Sequence, residues 1–96
     1  MATLKYFDDK NCVSIYRADR LDSNGNPRVI VHFLDFIGEK EREEHNILTL
    51  FDSVQKRLKG SGWRKFHNKE FGGGFIRQFV STSYQDIVKD VIKYRR

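Results

Sequence analysis

SGWRKFHNKEFGGGFIRQFV, residues 61–80, decides how the rest of the chain is read. Two runs with strand character, 63–68 and 75–80, flank Gly72, Gly73 and Gly74, so the stretch predicts a β-hairpin. Strand side chains alternate between faces. Phe75, Arg77 and Phe79 therefore share one side of the second run, and Ile76, Gln78 and Val80 the other. The three glycines read as the connection, a mobile loop. Glycine accepts the positive φ of tight turns and lets another group come close to the backbone.

Beyond the hairpin, Ser81, Thr82 and Ser83 offer helix N-caps, and Thr82-x-x-Gln85 fits a capping box. Tyr84, Ile87, Val88, Val91 and Ile92 form an apolar stripe, which predicts a final helix over about 83–94. On the other side, Gly60 closes a helix whose stripe is Ile47, Leu50, Phe51, Val54 and Leu58. The charged segment 39–44 suits that helix's entry, where the dipole favours carboxylates.

Residues 28–37 are nearly all apolar and predict a central strand. Asp22-Ser23-Asn24-Gly25-Asn26-Pro27 is a strong turn signal before it, and residues 12–21 alternate as a strand. Residues 4–7 make a short apolar patch, either an edge strand or a loosely held terminus spanning 1–11.

The order is ββαββα within one α+β domain spanning 1–96. It implies a mostly antiparallel, four-stranded sheet that receives the apolar faces of two helices. This order resembles a family of small, basic translation initiation factors. KRLKGSG (56–62), the three glycines and the final helix fall in comparable positions over most of the chain. The Gly-Asp step that precedes that family's last helix is absent; Val80-Ser81-Thr82 stands there. The resemblance implies a fold and carries no function with it.

The composition excludes some classes. With 39% apolar and 32% charged residues the chain is neither a disordered tail nor a membrane protein. No apolar run approaches the ~20 residues of a membrane-crossing helix, and the N-terminal residues do not read as a signal peptide. A single cysteine, Cys12, fits a reducing cytoplasm.

Charge is divided unevenly. Residues 1–55 hold seven Lys/Arg against ten Asp/Glu, whereas residues 56–96 hold eleven against three. A basic second half implies an acidic partner, either nucleic acid (RNA in particular) or an acidic protein surface. Lys56, Arg57, Lys59, Arg64, Lys65, Lys69 and Arg77 are the candidate phosphate contacts, with the loop Gly72, Gly73 and Gly74 beside them. Trp63, Phe66, Phe71 and Phe75 are interleaved. Cations beside rings suit a single-stranded nucleic acid, but strand alternation also produces this mixture when the rings are core.

Catalytic and metal chemistry find little support. His32, His45 and His67 are the only histidines; Glu41, Glu44 and His45 lack the further ligands of a structural metal site. The glycine run precedes a strand and lacks the Gly-Lys-Ser/Thr of a phosphate-binding loop. An enzymatic reading would need His67, Asn68 and Glu70 to converge in a pocket. The expectation is a small basic module that binds nucleic acid or a nucleoprotein through the second hairpin and the end of the first helix, with no cofactor or metal and no activity of its own. The alternative is a protein-interaction module, an inhibitor or accessory factor from a virus or mobile element.

Overall fold

The computed structural model of the chain describes residues 2–79 and 83–95. Its strands are β1 (Ala2–Asp8), β2 (Val13–Ala18), β3 (Arg28–His32), β4 (Arg64–Asn68) and β5 (Gly72–Gln78). They form one antiparallel sheet in the order β1-β2-β3-β5-β4. The described helices are α1 (Glu39–Glu44), α2 (Ile47–Arg57) and α3 (Tyr84–Lys93). The α+β expectation holds, with one strand and one helix more than the sequence reading supplied.

The extra strand comes from the N-terminus. Residues 4–7 lie within β1, which pairs along β2 and shifts register between Leu4 and Tyr6. That shift puts Leu4 opposite Tyr16 but Tyr6 opposite Ile15, so Tyr6 turns toward the helices and stacks on Tyr84 at 5.4 Å. The extra helix arises because residues 39–58 do not run on as one. His45 is extended (φ −130°), and Asn46 caps α2 by accepting the Leu48 N–H at 2.8 Å.

Residues 28–37 also divide. β3 ends at His32, and residues 33–36 form a 3-10 turn. A strand would send Phe33 and Phe36 to opposite faces. A three-residue period sends both the same way, and both are buried in the core. The final helix begins as the sequence implies, with Ser83 Oγ accepting the Asp86 N–H. The proposed Thr82 box and the Val80 position lie outside the described residues.

Helices α2 and α3 and the main core share one side of the sheet. Val13, Ile15, Val31 and Phe75 point that way, toward Phe51 and Val54 of α2 and Ile87 and Val91 of α3. The Phe75 ring centroid lies 5.2 Å from both Phe36 and Phe51. Asp90 of α3 draws the sheet and helix together: its Oδ2 accepts from the Trp63 indole N–H at 2.6 Å and pairs with Arg77 at 3.0 Å.

The glycine run has a different place from the one its composition suggested. Gly72, Gly73 and Gly74 begin β5 and pair with Asn68, His67 and Phe66. The connection is residues 69–71 instead. Asn68 Oδ1 accepts the N–H groups of Glu70 and Phe71, an Asx-type turn, and Gly72 (φ +91°) leads the chain back. Gly73 and Gly74 are required by packing. A Cβ on Gly73 would lie 2.7 Å from Phe51 Cε2, on the helix side. A Cβ on Gly74 would lie 2.9 Å from the Val31 carbonyl oxygen and 3.2 Å from the Phe71 ring, on the opposite side. The groups that approach this backbone closely are the protein's own rings.

Gly74→Ala is therefore expected to destabilise the fold by about 1–3 kcal/mol, the usual cost of overpacking. The backbone oxygen of Val31 cannot move aside as a flexible side chain would. Thermal melts of Gly73→Ala and Gly74→Ala measure both steric demands; unchanged melting temperatures in both would refute this role for the glycines.

One buried acid has a pH signature. Asp35 is 8% exposed within the 3-10 turn, and its Oδ2 accepts the Ser14 N–H at 3.1 Å. Burial pushes its carboxyl up to about 6, against the opposing pull of the Ser14 N–H and the Arg95 and Arg42 charges. The folded state then holds this proton more tightly than the unfolded state, so Asp35's contribution to stability falls as pH rises from about 4 to 6. Asp35→Asn removes the titration and keeps an acceptor. Its stability relative to the parent should rise by roughly 2–3 kcal/mol between acid and neutral pH, read by urea unfolding. A difference that does not change with pH would show that the carboxyl titrates normally.

Candidate nucleic-acid interface

The candidate cations separate by the alternation of β4 and β5. Register places Lys65 opposite Phe75, on the helix side, and Arg64 opposite Ile76, on the side away from the helices. Lys56 and Lys59 are exposed at the end of α2. Together with Lys65 and Arg64 they line a cleft of about 690 Å³ between α2 and the β4 edge, whose other lining residues include Asp52, Gln55 and Trp63. Lys65 Nζ stands 4.9 Å over the Phe51 ring, which holds its chain along the cleft wall. Lys69 is exposed at the hairpin turn.

Two of the seven cations turn inward. Arg57 is half-buried and donates from Nη2 to the Phe36 carbonyl at 3.1 Å, tying α2 to the 3-10 turn. Arg77 pairs with Asp90, and its guanidinium carbon lies 4.8 Å from the Phe79 ring centroid. These contacts give both arginines a place in the architecture. The remaining five, Lys56, Lys59, Arg64, Lys65 and Lys69, are exposed.

The sheet face away from the helices holds a second cleft of about 510 Å³. Ile30 and Ile76 form its floor, Phe66 and Phe71 line it, and Arg20, Arg28 and Arg64 stand around it. Phe71 lies over Gly74, where it meets Tyr16 edge-on at 4.7 Å and Phe66 at 5.9 Å. His32 adds a fourth ring 5.9 Å from Phe71, and burial lowers its pKa, favouring the neutral imidazole. Arg64 borders both clefts because β4 is the sheet edge.

Sequence reasoning did not single out Arg20 and Arg28, which line this cleft, or Tyr16, which meets Phe71 beside it. Their signal was available in part: Tyr16 and Arg28 alternate with the core residues Ile15 and Val29 on strands already identified. What the sequence lacked was the pairing of β3 with β5, which sets Arg28 opposite Gln78 and beside the second hairpin. The trio His67, Asn68 and Glu70 does not meet. His67 and Asn68 are strand neighbours facing opposite sides, the Asn68 side chain is committed to the turn, and Glu70 is exposed. Among the described residues no group of three or more His, Cys, Asp and Glu side chains is placed to hold a metal ion. No described helix is long and apolar enough to cross a membrane.

A family model described as Staphylococcus phage terminal repeat-encoded protein TreK matches residues 13–90. The match runs from the first residue of β2 into α3 and takes in both hairpins. The chain belongs to that family, which fits the expected origin in a virus or mobile element. No curated protein and no solved structure matches the chain. The ββαββα order behind the likeness to translation initiation factors is modified here by β1 and by the division of the first helix into α1 and α2.

Proposed function

We propose that this member of a staphylococcal phage protein family is a small, non-enzymatic binding module that contacts nucleic acid through its second hairpin and the adjoining end of α2. The observation that carries this reading is the cleft lined by Lys56, Lys59, Arg64 and Lys65, four cations with Asp52 the only carboxylate among the described lining residues. Cations so gathered attract a phosphate backbone by releasing its condensed counterions. Lys69 at the turn extends the positive surface along the hairpin. Arg57 and Arg77 support it from behind, fixing α2 and β5 through Phe36 and Asp90. The dispersal of His67, Asn68 and Glu70 supports the non-enzymatic part of the reading.

A second reading is a protein-interaction module. It is favoured by Ile47 and Leu48, which are 55% and 76% exposed at the start of α2 beside the charged α1. Side chains of this size exposed together are a common feature of protein contacts.

Fluorescence anisotropy separates the two. The chain should bind labelled DNA or RNA with an affinity that falls steeply as salt rises, at about 0.7–0.9 of a log unit per log unit of salt for each phosphate engaged. Joint replacement of Lys56, Lys59 and Lys65 by Glu should remove most of that binding. The variant should still melt as a cooperative folded domain, because exposed charges contribute about 0.2–1 kcal/mol each. Absence of binding to any nucleic acid at low salt would end the first reading and leave the second.

A further inference from the structure

The helix-free face of the sheet is covered by its own side chains, which leave rings partly open to solvent. Its central floor, Ile30 and Ile76, is 1% and 9% exposed, yet no described helix packs on that side. The cover comes from side chains, chiefly the ring of Phe71 across Gly74 and its neighbours Tyr16 and Phe66. These three rings are each only half-buried. Strand register then orders the face into adjoining rows. His32, Gly74 and Phe66 lie side by side across β3, β5 and β4, with Phe71 above them. The next row is Tyr16, Ile30, Ile76 and Arg64, and Arg28 stands opposite Gln78 in the row after.

A strip of rings thus runs beside a strip of guanidinium groups. The cleft between them is rimmed by Arg20, Arg28, Arg64 and Lys65, against the carboxylate of Asp19 among the described residues. Arg28 lines this cleft and a neighbouring one, and its Nε is buried with no hydrogen-bond partner among the described residues. A buried guanidinium N–H left unpaired is costly unless an acceptor arrives. The surface therefore complements a ligand with flat apolar faces joined to anions.

The geometry points to this face as a platform for the bases of a single-stranded nucleic acid: Phe66 and Phe71 stack on bases, while Arg28 and Arg64 hold the adjoining phosphates. Every base has a π-face, so the platform is tolerant of sequence. A duplex keeps its bases stacked on one another and presents none to the rings, so it is bound only through its phosphates. The inference rests on the nucleic-acid reading above and goes further, since the α2–β4 cleft by itself has no reason to distinguish one strand from two.

The test uses the full chain with labelled oligothymidylate and oligouridylate, against a mixed-sequence duplex of equal length. Single strands are expected to bind about tenfold or more tightly than duplex, and Phe66→Leu to lose about tenfold of single-strand affinity, the usual effect of losing one stacked ring. Phe66→Leu should leave the salt slope and the duplex affinity unchanged. Arg28→Gln should reduce single-strand affinity and lower the salt slope by about one contact. Ultraviolet crosslinking of the unaltered protein to the same oligonucleotides supplies a readout independent of how the variants fold. The crosslinks should map to tryptic peptides 66–69 and 70–77.

Equal binding of single strand and duplex, with Phe66→Leu inert and crosslinks confined to the end of α2, would overturn the platform and leave the nucleic-acid reading standing. Failure to bind any of the three probes at low salt would remove both. A protein retained after nuclease treatment and lost on Phe66→Leu would assign the face to a protein and overturn the proposal.

Discussion

Two glycines in succession let β5 be packed tightly from both sides, and the rest of the structure depends on that. Gly73 faces the helices and leaves room for the Phe51 ring; Gly74 faces the other way and leaves room for Phe71. The next residue, Phe75, is fully buried between Phe36 and Phe51. Without the gap at Gly73, α2 would have to stand off the sheet, and the ring cluster around Phe75 would lose its close contacts. Without the gap at Gly74, Phe71 would have nowhere to lie, and Ile30 would be left open to water. Gly72 does a separate job in the turn, where φ is +91°. Three adjacent glycines thus answer three different steric demands.

The sheet's one-sidedness follows from the connections. The hairpins β2–β3 and β4–β5 meet along β3 and β5, and each is followed by a helical segment that returns over the same side. Asp90 then fixes the second helix of the sheet layer against β4 and β5 by taking both the Trp63 indole N–H and the Arg77 guanidinium. Charge-assisted hydrogen bonds of this kind contribute about 1.5–3 kcal/mol each when well aligned. Among the described residues the opposite face is covered by side chains of the strands and of their connections. A chain of 96 residues has little material for a second layer. What stands on that face must consequently serve as its own cover, and aromatic rings do so with the fewest residues.

Much of the fold was legible in the sequence. The stripes of α2 and α3, except for the exposed Ile47 and Ile92, the alternation of β2 and the face assignments of Phe75, Ile76, Arg77 and Gln78 followed from periodicity, because each is set by local geometry. The misreadings share a cause. The glycines looked like a loop because the residues that need them, Phe51 and Phe71, approach from other elements or from across the turn. Residues 33–36 looked like strand because hydrophobicity does not distinguish a strand from a 3-10 turn that buries the same phenylalanines. The break at His45 and Asn46 is a capping decision that competes with continuing the helix, and the charged residues before it fit either outcome. The candidate site was legible as a composition but not as a surface, since strand register decides which cation stands beside which ring.

The division of charge along the chain is not its division in space. The second half appears strongly basic, yet Arg57 and Arg77 are drawn in to hold the Phe36 carbonyl and Asp90. The first half appears acidic, yet it supplies Arg20 and Arg28 to the cleft on the open face. Four of its carboxylates, Glu39, Glu41, Glu43 and Glu44, are spent on α1, which buries no residue of its own. Two positive surfaces result, one against α2 and one on the bare sheet, and Arg64 on the edge strand belongs to both. A polyanion bound along that edge would meet cations on either side of β4, but half-buried rings, Phe66 and Phe71, on only one, since Trp63 and Phe51 on the α2 side are buried. The asymmetry between the two clefts, rather than the net charge, is what would set one end of a nucleotide apart from the other.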